Sequence, residues 1–129
     1  SGEIAGIAQS LVAAGAVNDA AFAESRARRL ARSGHSRRAI AAHLAAKGIE
    51  SDTAAAALPE GEEAELLAAI TFCRRRRNGP FARVAPDVTA RMKALAALAR
   101  GGFAQGVARR ALAMEPDQAE EMLLAGRHG

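Results

Sequence analysis

The stretch that decides the fold is Leu44-Ala-Ala-Lys-Gly-Ile-Glu-Ser-Asp-Thr-Ala-Ala-Ala-Ala-Leu58, and a related stretch follows 54 residues later as Leu98-Ala-Arg-Gly-Gly-Phe-Ala-Gln-Gly-Val-Ala-Arg-Arg-Ala-Leu112. Six of the 15 aligned positions are identical without a gap, including the leucines at both ends. Each copy predicts a helix that ends at a glycine free to adopt positive φ, an apolar residue that packs back against that helix, and then a second helix. Two such copies in one chain indicate tandem helical modules.

Alanine dominates the apolar part of the composition. Hydrophobic residues make up 50% of the chain, yet there are only four Phe and no Tyr or Trp. Because Ala is the best helix former and β-branched residues are sparse and scattered, we expect an all-α fold without a sheet. Each helix then buries few large side chains, so the core should be spread along the molecule.

Helix breakers and capping residues divide the chain into eight predicted helices, with a loop at Phe81 to Pro86. Glycine or proline ends most of the helices, and a capping side chain begins several. The predicted caps are Asn18 with Asp19, Ser36, Ser51 or Asp52, and Asp87. The predicted helices run from Ile4 to Ala14, from Asn18–Asp19 to Ser33, from Arg37 to Lys47, from Ser51–Asp52 to Pro59, from Glu60 to Arg77, from Val88 to Arg100, from Gln105 to Met114 and from Pro116 to Gly126.

The chain is basic, with a formal charge of +4 and 16 Arg against 2 Lys. A basic excess is compatible with nucleic-acid binding. The single Cys73 excludes an intramolecular disulfide framework and fits a reducing cytoplasm. No run reaches the ~18 apolar residues of a membrane helix and no signal peptide opens the chain, so we expect a cytoplasmic protein without a membrane partner. The chain begins with Ser1 rather than Met, so we expect natural sequence upstream of it.

An Arg-rich helix and the Gly turn after it carry a longer pattern of spaced residues. An Asn-Asp pair stands two residues before Phe-Ala, and the helix after the turn ends with Leu-x-x-Lys-Gly-Ile. The pattern comprises Asn18-Asp19-Ala20-Ala21-Phe22-Ala23, Arg29, Gly34, Arg38-Ala39-Ile40, Leu44 and Lys47-Gly48-Ile49. It resembles the RecX family, and the later segment Arg100-Gly-Gly-Phe103, with Val107 beyond it, is similar to the third module of that family. The resemblance covers roughly Ile4 to Leu112.

This resemblance implies tandem three-helix modules that form an elongated, curved helical-repeat protein. It divides the chain into the C-terminal part of a truncated first module at residues 1–17, a second module at 18–59, and a third module with an extra C-terminal helix at 60–129. Proteins of this family lie in the groove of the RecA–single-stranded-DNA filament and restrain its recombinase, ATPase and coprotease activities. The resemblance therefore implies a non-enzymatic regulator in DNA repair and the SOS response, and we expect a monomer.

Two arginine clusters are the candidate partner-binding and nucleic-acid-binding residues. In the first, arginines spaced three and four residues apart form a broad basic face on the second predicted helix, opposite an apolar one, and two more arginines join them after the Gly turn. The second is a run of four consecutive Arg, which points all round its helix. The clusters comprise Arg26, Arg28, Arg29, Arg32, Arg37 and Arg38, and Arg74, Arg75, Arg76 and Arg77. The apolar face comprises Phe22, Ala23, Ala27, Leu30 and Ala31.

Each cluster has a structural interpretation beside the functional one. A basic face neutralises phosphates or meets an acidic protein surface, but it is also compatible with a merely solvated helix side. The four-Arg run compensates the helix dipole, at ~0.3–1 kcal/mol for each contact. At least one of its members should cross a module boundary toward Glu62 or a neighbouring element.

No residues assemble a catalytic, metal or cofactor site. His35, His43 and His128 are single and far apart, so we expect surface or partly packed roles for them rather than metal binding. Cys73 lies on an apolar helix side and is expected to be a buried small hydrophobe. The chain has no phosphate loop, dinucleotide fingerprint or Gly-x-Ser-x-Gly motif. We therefore expect no enzyme activity, no cofactor and no metal.

The scarcity of aromatic side chains limits the recognition of single-stranded DNA. Sequence-tolerant binders of single strands stack bases on aromatic residues. Phe22, Phe72 and Phe103 occupy positions where core residues are expected, and Phe81 in its loop is the exception. Direct DNA binding should therefore be weak and electrostatic, with the recombinase supplying most of the specific contact.

Two other functions stay open. An autonomous DNA-binding protein would use a helix–turn–helix pair, but neither Ala-rich second helix begins with the Asn, Gln or Arg cluster expected for base readout. A helical scaffold with an unrelated protein partner would tolerate charge reversal at Arg26, Arg29 and Arg32.

Overall fold

The computed structural model describes the backbone of residues 2–128 and the side chains of residues 15–127. Within this part of the chain all regular secondary structure is helical, which confirms the all-α prediction. The helices are α1 (Gly2–Arg32), α2 (Arg37–Ala46), α3 (Ser51–Ala57), α4 (Glu62–Arg76), α5 (Val88–Arg100), α6 (Gln105–Ala113) and α7 (Pro116–His128), with a short 3-10 helix (Gly79–Phe81) between α4 and α5. Over the same residues, no helix combines the length and the apolar character needed to cross a bilayer.

Helix α1 is continuous where the sequence predicts two helices. The predicted break at Gly15 and the predicted cap at Asn18 and Asp19 are wrong, because the chain stays helical through all three residues. A glycine inside a helix costs only about 1 kcal/mol relative to alanine. Alanines flank Gly15 on both sides and favour the helix. The apolar spacing predicted for Ile4 to Ala14 concerns side chains outside the described residues.

Two helix starts lie where the capping pattern predicts them. The Ser36 hydroxyl accepts a hydrogen bond from the amide of Ala39 at 3.0 Å, at the start of α2. The Asp87 carboxylate accepts one from the amide of Ala90 at 2.8 Å, at the start of α5. Both side chains satisfy an amide that has no partner within its helix, which is the reason these residue types favour that position.

The start of α3 departs from the prediction of Ser51 or Asp52 as the cap. The backbone of Glu50 is extended at the N-cap position. Its carboxylate accepts hydrogen bonds from the amides of Asp52 and Thr53 at 3.1 and 3.3 Å. A carboxylate there also faces the positive end of the helix dipole. Glu50 therefore caps α3, one residue before the expected position.

The buried side chains form two separate clusters. The first core joins α1, α2 and α3, and the second joins α4, α5, α6 and α7. The first core comprises Ala23, Ala27, Ile40, Leu44, Ile49, Ala54 and Leu58. The second comprises Leu66, Ala68, Ala69, Ile70, Cys73, Leu98, Phe103, Val107, Ala108, Ala111, Ala119 and Leu123. The core is thus distributed along the molecule, as expected from a composition in which alanine outnumbers large apolar residues.

The turn that occurs twice in the sequence has the same geometry in both copies. Gly48 and Gly102 have φ values of 83° and 94°, which are strained for any residue with a Cβ. The amide of the apolar residue after each glycine donates to the carbonyl five residues earlier, at 3.1 Å in both turns. These apolar residues, Ile49 and Phe103, are buried. The structure therefore contains the helix–Gly–apolar–helix unit in each group of helices.

A direct junction joins the two groups of helices. Ser36 is fully buried, and its hydroxyl donates to the carbonyl of Gly101, after α5, at 2.7 Å. From α4, the Glu65 carboxylate accepts the amide of Arg37 with N–O distances of 3.0 and 3.3 Å. The start of α2 is therefore bonded to two elements of the second group. These bonds restrict the relative orientation of the two cores.

The four Phe side chains are distributed differently from the prediction. Phe103 is buried and meets the half-buried Phe72 edge to face, with 5.6 Å between the ring centroids. Phe22 is 36% exposed and lies outside the first core, so its predicted core position is wrong. Phe81 is also different: it belongs to the 3-10 helix rather than a loop and packs against the second core. The aromatic side chain left at the surface is therefore Phe22, because α1 packs through its alanines.

Candidate nucleic-acid and partner-binding surface

The C-terminal half of α1 has one buried side and one basic side. Ala23 and Ala27 are fully buried in the first core. Their small side chains allow neighbouring helices to pack closely against α1. Three arginines of the predicted first cluster are exposed on this helix half. We call them the α1 arginine face, which comprises Arg28, Arg29 and Arg32.

Arg26 has structural partners that the other arginines of α1 do not have. Its guanidinium lies 3.0 Å from Nε2 of His43 and 4.9 Å from the centroid of the Phe22 ring. Burial, with the positive charges of Arg26 and Lys47, lowers the pKa of His43. The neutral imidazole therefore accepts the Arg26 hydrogen bond. Half-buried and engaged with α2, Arg26 contributes to the structure between α1 and α2.

The two arginines at the start of α2 also differ from each other. The Arg37 guanidinium donates to the carbonyl of Pro59 at 2.9 Å and so joins the start of α2 to the segment after α3. Arg38 is exposed beside the turn at Gly102. Both predicted site residues are exposed, and Arg37 has the structural contact.

The four consecutive arginines at the end of α4 point in different directions, because successive side chains of a helix are rotated around its axis. The Arg75 guanidinium donates to the carbonyl of Ser33 at 2.8 Å, so it crosses to the end of α1 as expected for one member of the run. The Arg76 guanidinium lies 4.4 Å from the centroid of the Phe72 ring. Arg75 therefore contributes to the junction between the two groups of helices, whereas the contact of Arg76 with Phe72 lies within α4.

The other two members of the run point elsewhere. Arg77 ends α4 in the left-handed region, with φ of 57°, and lines a pocket with Arg83 and Arg91. Arg74 lines a groove together with Arg32 of α1 and Arg127 of α7. The structure thus joins one member of each predicted cluster in a single groove.

Sequence reasoning missed two arginines, Arg127 and Arg100, that the fold brings next to these elements. Arg127 completes the groove of Arg32 and Arg74, and Arg100 lines a smaller pocket beside Arg75 and Arg76. Arg110 binds the Glu62 carboxylate at 2.7 Å, where a member of the four-Arg run was expected. No local signal identifies Arg127 and Arg100, because their positions depend on how α7 and α5 pack on α4.

The described side chains of Cys73 and His35 lie outside these arginine clusters. Cys73 is fully buried, and burial raises the pKa of its thiol to about 11, which disfavours the reactive thiolate. His35 is exposed, with Nδ1 3.1 Å from the carbonyl of Leu30. The side chain of His128 lies outside the described residues. Among the side chains of residues 15–127, no group of three or more His, Cys, Asp or Glu lies close enough to hold a metal ion.

Comparisons with known proteins identify the family. The family model for RecX, second three-helix domain, matches residues 18–58. Regulatory protein RecX of Agrobacterium fabrum (strain C58) is 41% identical over 108 residues, which are 84% of this chain and 58% of that protein. Regulatory protein RecX of Myxococcus xanthus (strain DK1622) is 38% identical over 110 residues, 82% of this chain and again 58% of the relative. The chain therefore spans 58% of the length of these relatives. No solved structure matches it. By this similarity the chain belongs to the RecX family.

Proposed function

We propose that the chain is a non-enzymatic regulator that binds the RecA–single-stranded-DNA filament and restrains its recombinase, ATPase and coprotease activities. Membership of the RecX family supports a regulatory role. The observation that carries the proposal for this chain is the α1 arginine face. Its three guanidinium groups are exposed, and no carboxylate among the described side chains forms an ion pair with them.

Such a face suits the backbone of DNA rather than its bases. Arginine donates in a planar fork that matches phosphate oxygens. Base readout would need a helix start rich in Asn, Gln or Arg, but α3 begins with Ser51, Asp52 and Thr53. Exposed Arg38 extends the basic surface onto α2. Direct DNA binding by the chain alone is therefore weak and dependent on salt, and the filament provides the tighter site.

The organisation of the chain is part of the same proposal. Residues 18–59 form the second three-helix module, residues 60–129 form the third with an additional helix, and residues 1–17 are the C-terminal part of the first. The two separate cores support the boundary between the second and third modules, and the family model at residues 18–58 supports the extent of the second. The protein acts as a monomer in the cytoplasm, where the recombinase and its DNA are found.

Two measurements on the intact chain test the function. The first is binding to preassembled RecA–single-stranded-DNA filaments, to single-stranded DNA and to duplex DNA, at about 50 and 200 mM salt. The second is the rate of ATP hydrolysis by the filament as the chain is added. We expect the filament to be bound far more tightly than either DNA and its hydrolysis to be suppressed. Unchanged hydrolysis at saturating chain would reject the proposal.

A charge reversal tests the α1 arginine face itself. Arg28→Glu should weaken binding to single-stranded DNA and reduce the slope of log affinity against log salt by about 1, because one phosphate contact is lost. Arg109→Glu is the matched control, since Arg109 is exposed on α6 and the charge change is the same. Equal effects of the two variants would favour a non-specific charge effect. Intact binding after reversal at Arg26, Arg29 and Arg32 would favour a scaffold with an unrelated protein partner.

A further inference from the structure

A groove of about 520 Å³ runs between α1, α4 and α7, and it draws its walls from both groups of helices. Its floor is apolar, and Leu123 in it is nearly fully buried. Three arginines stand at its rim: Arg32 at the end of α1, Arg74 near the end of α4 and Arg127 on α7. The remaining lining residues are Ala31, Pro59, Ala64, Leu67, Ala68, Thr71, Leu123 and Gly126.

The charge of this groove has one sign. Among the described residues that line it, none is Asp or Glu, and the three rim arginines are all exposed. The polar group on the floor is already satisfied, because the Thr71 hydroxyl donates to the carbonyl of Leu67 at 2.9 Å. What the groove offers a ligand is therefore an apolar floor and three guanidinium groups. A ligand that fits this groove therefore carries an apolar group with a carboxylate on either side.

We propose that this groove binds a segment of a protein partner in which acidic side chains flank a large apolar one. The apolar side chain lies on the floor between Leu67, Ala68 and Leu123. The flanking carboxylates receive bidentate hydrogen bonds from the rim arginines, the geometry for which the guanidinium fork is suited. The volume lies within the roughly 300–1,000 Å³ of specific ligand pockets, so it holds a few side chains rather than a whole domain.

The lining favours a protein segment over nucleic acid. Single-stranded nucleic acid binds through bases stacked on aromatic side chains and phosphates on basic ones. Among the described residues that line the groove, none is aromatic, and its floor would face sugars and phosphates with aliphatic carbon. The α1 arginine face lacks such a floor and suits phosphates. The groove therefore suits a protein segment, whereas Arg28 and Arg29 of the α1 arginine face suit DNA phosphates. Arg32 belongs to both surfaces and lies where they meet.

This inference deepens the proposed function, because it names the part of the chain that contacts the protein component of the filament. It rests on the proposed function for the identity of the partner, but its chemistry is tested without any recombinase. The probe is a short labelled peptide with leucines flanked by glutamates, and its control is the same peptide with glutamine at each glutamate. Binding to the intact chain is measured by anisotropy and mapped by amide shifts in two-dimensional NMR.

Two variants alter the groove in different ways. Arg74→Glu reverses one rim charge, and Ala64→Trp fills the groove without changing the charge. We expect Arg74→Glu to weaken binding of the glutamate peptide about tenfold, which corresponds to loss of one charged hydrogen-bond pair. Ala64→Trp should also weaken it, because the indole occupies the place of the peptide's apolar side chain. Arg109→Glu, with the same charge change as Arg74→Glu but outside the groove, should leave binding unchanged. Circular dichroism confirms that each variant is folded.

Several outcomes would overturn the inference. They are equal binding of the glutamate and glutamine peptides, amide shifts away from Thr71 and Arg74, and binding that neither groove variant weakens. A fourth is binding of oligothymidylate that shifts the amide signals of the groove residues and is weakened by Arg74→Glu. This result would assign the groove to nucleic acid. If the peptide binds as expected while filament ATP hydrolysis stays unchanged, the proposed function fails and the groove assignment stands.

Discussion

Alanine in place of Gly102 is expected to damage the junction between the two cores, whereas alanine in place of Gly48 is not. Both glycines have positive φ, at 94° and 83°. A Cβ at Gly48 would meet nothing within 4 Å. A Cβ at Gly102 would lie 2.5 Å from the hydroxyl oxygen of Ser36 and 3.3 Å from Cβ of Arg38. The two equivalent turns therefore share the backbone strain and differ in the contact between the two groups of helices.

The expected difference in the free energy of unfolding between the two variants follows from these contacts. Placing an L-residue in the left-handed region costs about 1–2 kcal/mol, and this applies to both variants. In Gly102→Ala the Ser36 hydroxyl must also move, so it loses its bond to Gly101 at 2.7 Å and its cap on Ala39 at 3.0 Å. Loss of a cap costs about 1 kcal/mol and loss of a buried hydrogen bond about another 1 kcal/mol. Gly102→Ala should therefore lower the free energy of unfolding by about 2 kcal/mol more than Gly48→Ala.

The assay is urea unfolding followed by far-ultraviolet circular dichroism, because the chain has no Trp or Tyr to report by fluorescence. A double-mutant cycle separates the causes. In a Ser36→Ala background the hydroxyl is absent, so the extra cost of Gly102→Ala should disappear and the effect should match that of Gly48→Ala. Equal destabilisation by Gly48→Ala and Gly102→Ala in the natural background would refute the reasoning.

Three further predictions follow from single side chains. Cys73, buried with its pKa raised to about 11, should not react with a thiol reagent at pH 8 unless urea is present, and rapid labelling of the folded chain would contradict its placement. Because the pKa of His43 is lowered in the folded chain, the unfolded chain binds that proton more readily, and the free energy of unfolding should fall as pH drops below 6.5. His43→Gln cannot take up this proton, so it should reduce the slope of the free energy of unfolding against pH. An unchanged slope would count against the contact with Arg26. Arg110→Ala should cost less than about 1 kcal/mol in urea unfolding, because its ion pair with Glu62 is exposed, and a larger loss would show a role beyond that pair.

Local chemistry explains why several helix ends could be predicted. A cap such as Ser36 or Asp87 bonds an amide three residues away, so the signal and its effect lie in the same short stretch. The same is true of the turn at Gly48, whose conformation follows from the missing Cβ. The break expected at Gly15 failed because a single glycine costs too little to interrupt an alanine-rich helix.

The assignment of the arginines could not be made from local chemistry. Sequence spacing groups Arg74 with Arg75, yet in the fold Arg74 lines the groove and Arg75 bonds to the carbonyl of Ser33. The rim of the groove also includes Arg127, which lies more than fifty positions away in the chain. These contacts depend on the packing of α7 and the end of α1 against α4.

By itself the sequence determined that this protein is an all-helical repeat with an arginine-rich helix, since alanine content, caps and the repeated glycine turn all act within one or two helical turns. The tertiary structure alone decided that Phe22 is exposed while the smaller Ala23 is buried, and which arginines carry structural contacts. The physical reason is that helix packing selects the side of α1 with the smallest side chains, where neighbouring helices approach most closely. Only that choice of side exposes the α1 arginine face and sets the walls of the groove.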